Sequence, residues 1–219
     1  MSTWKIFCPG PSLKHWVNEI DPGFFQPTSR SIAVNGAILG VSCGYWAVMD
    51  YHVVPSVLLL ADNVDEFMSG VVLWCPEKLI TETQRYRPDV IQTLDGFEKS
   101  FFPKNSDLCG PGSMDPEMLW HTFTLVAAIA KALHEGAREI LIYGADMQGA
   151  GYFDSRLDSE HDTHSTIRWG EECRVYRIVE KFCRERGIKL IRKKPIIRNS
   201  SCREYPMQRG SSLRYQGIG

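Results

Sequence analysis

The chain has 219 residues, 43% of them hydrophobic and 23% charged, with a formal net charge of −1. That balance is ordinary for a soluble globular protein and argues against wholesale nucleic-acid binding. No apolar run approaches the roughly 20 residues of a membrane helix, and the polar N-terminus lacks a secretory apolar core, so the expected location is the cytoplasm. The length fits one α/β domain over residues 1–195, followed by a basic tail over 196–219. The seven cysteines are scattered, with no C-x-x-C pair, so neither a disulfide framework nor a structural zinc site is expected. Most read as small buried hydrophobes, with Cys8 open to a second reading as a reactive thiol.

Taken in order, apolar runs alternate with helical patterns. Ile6-Phe7 reads as a strand that breaks at Pro9-Gly10-Pro11 and resumes as a helix from Ser12 to Ile20. A glycine that permits close backbone approach, a proline suited to a helix start and a hydroxyl beside unpaired N–H groups make this a candidate anion site. The spacing matches neither G-x-G-x-x-G nor the ATPase loop, and an ordinary strand-to-helix turn is the competing reading. Ser31 to Asn35, Tyr45 to Asp50 and Val71 to Trp74 are further strands. A helix is expected from Pro116 to Glu135, stopped by Gly136, then a buried strand over Glu139 to Gly144. A second helix covers Thr166 to Arg186, stopped by Gly187, and Ile188 to Ile191 is the last strand. This alternation predicts a Rossmann-like, mostly parallel sheet flanked by helices in a single domain.

Ligands of open α/β sheets sit beyond the carboxyl ends of the strands. Those ends here carry Gly10, Pro11, Ser12, Asn35, Asp50, Gly144 and Asp146. Each has a structural alternative: Asn35-Gly36 as a turn, Asp50 and Asp146 as caps of the helices that follow them. The aromatic Trp4 and Trp46 read as either core or interface. Residues 147–165 show no periodicity and hold Tyr152, His161 and His164 among acids, which suits a long active-site lid. The histidine pair near Asp158, Glu160 and Asp162 admits a metal reading, but no third ligand is fixed by spacing. A single histidine acting as general base needs less.

In order and spacing, Gly10-Pro11-Ser12-Leu13, Ala33-Val34-Asn35, Ala47-Val48-Met49-Asp50, Tyr143-Gly144-Ala145-Asp146, Gly151-Tyr152-Phe153-Asp154 and His164-Ser165 resemble the bacterial sialyltransferases of glycosyltransferase family 42. They also resemble the related hydroxymethylpterin pyrophosphokinase-like proteins of bacteria, archaea and phages. The resemblance implies an inverting, metal-independent glycosyl transfer from a nucleotide-sugar donor, CMP-linked in the sialyltransferases, to a hydroxyl acceptor. It implies that Gly10, Ser12 and Asn35 hold the nucleotide, with Asp50 on the ribose side. Tyr152 touches the donor phosphate and assists the leaving group, and His164 deprotonates the acceptor. No cofactor beyond the donor is implied. Pro9 stands where the family has asparagine, and Met147-Gln148 where it has a second tyrosine.

Three other readings stay open. From Arg186 onward nine Lys or Arg face one acid, Glu204, so the tail could contact nucleic acid in a DNA-modifying transferase. A pterin pyrophosphokinase-like enzyme and a non-catalytic nucleotide-binding module are the others. A homo-oligomer is compatible with all of them.

Overall fold

A computed structural model describes residues 2–19, 29–65, 69–101, 123–147, 154–156 and 166–194. Seven strands form one sheet: β1 (Thr3–Phe7), β2 (Ser31–Val34), β3 (Tyr45–Ala47), β4 (Val72–Cys75), β5 (Glu98–Phe101), β6 (Glu139–Tyr143) and β7 (Lys189–Arg192). Their order is β5-β4-β3-β2-β1-β6-β7, and every neighbouring pair is parallel. The chain winds outward from β1 to β5, then returns to place β6 on the free side of β1. This is a doubly wound, Rossmann-like domain whose winding reverses between β1 and β6.

Helices cover both faces. On one lie α1 (Ser12–Glu19), a 3₁₀ turn (Asn35–Leu39), α2 (Val53–Leu60), α3 (Glu77–Tyr86) and the short α4 (Ile91–Asp95). On the other lie α5 (Thr124–His134) and α6 (Thr166–Glu185). Successive strand residues point to opposite faces, so a doubly covered sheet needs apolar groups at every position. Ile6, Ile32, Ala47 and Trp74 face α5 and α6, while Phe7, Ala33, Trp46 and Leu73 face α1 to α4. Trp4 and Trp46 are core residues, 3% and 0% exposed. The buried thiols Cys8, Cys43, Cys75 and Cys183 are free and packed among hydrophobic side chains.

Two boundaries differ from the sequence reading. Helix α5 begins at Thr124, because Phe123 is extended (φ −142°, ψ 142°). Met147, expected to open the lid, is 7% exposed and belongs to the core beneath α6. Both long helices end one residue before the expected position, at His134 and Glu185, with Gly136 and Gly187 left-handed just beyond them. Among the described residues no helix is long and apolar enough to cross a membrane. The basic tail over 196–219 lies outside the described residues.

Candidate functional site

Parallel strands deliver all their carboxyl ends to one edge, so Gly10 to Ser12, Asn35, Asp50 and Gly144 to Asp146 share the edge above β1, β2, β3 and β6. Ligand crevices of such sheets open where the winding reverses, here between the ends of β1 and β6. At this corner the two loops bind each other. The amide of Cys8 donates to the Tyr143 carbonyl at 2.8 Å, and that of Gly10 to the Gly144 carbonyl at 2.9 Å. Ser12, the first residue of α1, donates its amide to Asp146 Oδ2 at 2.8 Å.

Asp146 therefore caps a helix, though not the one that follows it. It closes α1, which begins 134 residues earlier in the chain. A carboxylate is favoured there by the unpaired N–H groups and the positive end of the helix dipole. Both glycines serve this contact. A Cβ on Gly10 would collide with the Gly144 carbonyl oxygen and the Asp146 carboxylate. One on Gly144, whose φ is +69°, would collide with the Cys8 carbonyl oxygen and Leu13. The close approach for which the sequence reading reserved Gly10 is thus made to the protein's own loop. Pro11 shapes the turn, its carbonyl accepting the Lys14 amide at 3.2 Å.

The ends of β2 and β3 are different. Asn35 adopts φ 49°, a left-handed conformation that asparagine tolerates better than most residues. Its backbone carbonyl accepts the Trp46 indole N–H at 2.8 Å, which locks the turn after β2 to β3. Its side-chain Oδ1 is buried and has no hydrogen-bond partner among the described residues. A buried amide oxygen without a donor is uncommon and calls for an explanation. Asp50 is exposed beyond β3. Helix α2 starts at Val53 without a side-chain cap, and the Val53 amide goes to the Asp50 backbone carbonyl at 3.1 Å, so the Asp50 carboxylate is not a cap.

Under this edge Cys8 is 5% exposed, and burial, reinforced by the negative charges of Glu172 and Asp146, pushes its thiol well above the usual range. Burial of this kind favours the neutral thiol, and Cys8 packs in the core as a small hydrophobe. Among the described residues no group of three or more His, Cys, Asp or Glu side chains is arranged to hold a metal ion. Tyr152, His161 and His164 lie outside the described residues, as does most of the expected lid. Of that segment, residues 154–156 are described. There Asp154 and Arg156 form a two-pronged ion pair, with Nη2 to Oδ2 at 2.6 Å, and Arg156 holds the Asp154 carboxyl below the usual carboxylate range.

A cavity of about 630 Å³ lies elsewhere, lined by Leu39, Val41, Cys43, Leu60, Val71 and Arg156 among others. Cys43 lies two residues before β3 and Val71 one residue before β4, so the cavity sits toward the amino ends of these strands. That is the wrong end for a ligand of a doubly wound sheet, whose βα loops and helix starts gather at the other edge.

Compared with known proteins, the chain matches no family model, no curated protein and no solved structure.

Proposed function

We propose that the chain is a nucleotide-dependent group transferase that takes a nucleotide-sugar donor at the carboxyl edge of its sheet and passes the sugar to a hydroxyl acceptor. The observation that carries the reading is the Asn35 Oδ1 at the end of β2, which has no partner among the described residues, next to the strand at which the winding reverses. A ligand N–H or O–H would complete it, and a nucleoside offers both from its base and ribose. The exposed carboxylate of Asp50, one strand further out, suits a ribose hydroxyl. Gly10, Pro11, Ser12, Gly144 and Asp146 contribute the shape of the adjoining corner.

The chemical step rests on the family resemblance. Inverting transfer needs a base to take the acceptor proton as its oxygen attacks the anomeric carbon, and an acid or hydrogen bond to stabilise the departing phosphate. His164, whose ordinary pKa of about 6.5 lies near neutrality, takes the first role, and the Tyr152 hydroxyl the second.

A thermal-shift series with CMP, UMP, GMP and AMP identifies the nucleotide, because a ligand of the folded state raises the melting temperature by mass action. With the matching sugar donor, His164→Ala is expected to lower turnover by about 10²–10⁴-fold and leave nucleotide affinity nearly unchanged. His161→Ala is expected to do much less. Nucleotide binding with no turnover in the parent chain would make it a binding module, and no nucleotide binding at all would end the reading.

A further inference from the structure

This inference rests on the nucleotide reading above and concerns how the ligand lies on the edge. Phosphate sites at the first strand-to-helix turn of an α/β protein work through free backbone N–H groups and the positive helix end. Residues 8–14 can be accounted for one by one. Pro9 and Pro11 have no N–H. The amides of Cys8 and Gly10 go to the Tyr143 and Gly144 carbonyls, those of Leu13 and Lys14 to the Gly10 and Pro11 carbonyls, and that of Ser12 to Asp146. No backbone N–H of these residues is left over, and the start of α1 already holds a negative charge.

That charge is firmly placed. Asp146 lies between Gly144 and Met147, both in left-handed conformations with φ of 69° and 52°, and Met147 is buried in the core. Cys173 also directs its thiol toward the Met147 carbonyl, at 3.8 Å, tying this turn to α6. A phosphate arriving at α1 would meet a fixed carboxylate and no free backbone N–H. The neighbouring strand end presents the opposite need, an oxygen at Asn35 that has no donor among the described residues.

We propose that Asp146 is a specificity-determining residue: its carboxylate closes the start of α1 to phosphate, so the nucleotide lies with its hydroxyl- and amino-bearing end over β1 to β3 and its phosphate directed away from α1. The phosphate-loop role implied for Gly10 and Ser12 by the family resemblance is then absent from this chain.

The test follows backbone amides by ¹⁵N NMR on the full chain, with inorganic pyrophosphate as the probe. In the parent protein the amides of Gly10, Ser12 and Leu13 should not move. Asp146→Ala frees the Ser12 amide and removes the charge, so pyrophosphate should produce saturable shifts there and bind at least about tenfold more tightly, as one charge-assisted hydrogen bond warrants. Asp146→Asn, which keeps an oxygen for Ser12 and loses only the charge, guards against a folding defect and should show a smaller gain. Equal shifts in parent and variants, or no gain in either folded variant, would overturn the proposal. In a second titration of the parent, a nucleoside and its monophosphate should leave the Ser12 amide unmoved and bind within about threefold of each other. A Ser12 shift with the monophosphate would sink the Asp146 proposal while sustaining the nucleotide reading. Failure of both ligands to bind would end the nucleotide reading, with the pyrophosphate series still deciding the role of Asp146.

Discussion

Two corners of one sheet edge carry similar residues and do different work. Where β1 and β6 end, Gly10, Ser12, Gly144 and Asp146 satisfy one another, and the space any added carbon would need is taken by backbone and carboxylate. Where β2 and β3 end, Asn35 keeps a buried oxygen without a donor among the described residues and Asp50 stands exposed. The first corner is a closed joint, and the second holds a buried acceptor that no described residue satisfies beside an exposed carboxylate. Small and polar residues at a strand end therefore mark the edge, but whether they face a ligand depends on whether another loop has already used them.

Variants can separate the two corners. The largest effect on stability is expected from Gly144→Ala, which combines a left-handed φ with a collision against the Cys8 carbonyl and Leu13. A loss of about 3 kcal/mol in urea unfolding is expected, from overpacking plus the αL penalty. Gly10→Ala should follow at about 2 kcal/mol, since its clash is with the facing loop without a left-handed φ. Both losses should appear without any ligand. A Gly10→Ala chain of unchanged stability would mean that the joint is looser than its hydrogen bonds imply.

At the second corner the ranking should invert, with affinity falling and stability holding. Asn35→Gly removes the side-chain amide while keeping the left-handed turn free of strain, so stability should change by under about 1 kcal/mol. Nucleotide affinity, measured by calorimetry, should fall about tenfold for one lost hydrogen bond to a buried partner. Unchanged affinity would place the ligand elsewhere on the edge. The smallest effect is expected for Asp50→Asn, an exposed side chain that still accepts hydrogen bonds. Affinity should drop about twofold to fivefold, with stability within about 0.5 kcal/mol of the parent. A larger loss there than at Asn35 would move the centre of the site outward to β3.

The elements that were legible in the sequence are those with a strong local signature. Ser31 to Val34 and Glu139 to Tyr143 are near-continuous apolar runs because both sheet faces are covered, and both form strands. Glu98–Phe101 escaped notice because β5 is an edge strand, only partly buried, and its charged residues break the pattern. Val53–Leu60 was equally hard to read, since β-branched residues and Pro55 argue against a helix. The proline is tolerated in the first turn, where its missing N–H is no loss.

By itself the sequence determined the alternation of strands and helices, the apolar positions and the two glycine stops, because each follows from the preferences of neighbouring residues. It also determined that Gly10, Asn35, Asp50 and Asp146 follow strands. Only the tertiary structure decided what they meet. Asp146 reaches Ser12 across 134 positions because β6 returns to pair with β1, and no local pattern encodes that return. The same pairing brings Gly144 against Cys8 and Gly10, while Asn35, one strand away, has no partner for its side-chain oxygen among the described residues. Hydrogen-bond satisfaction depends on which strand ends become neighbours, and that is fixed by how the sheet winds.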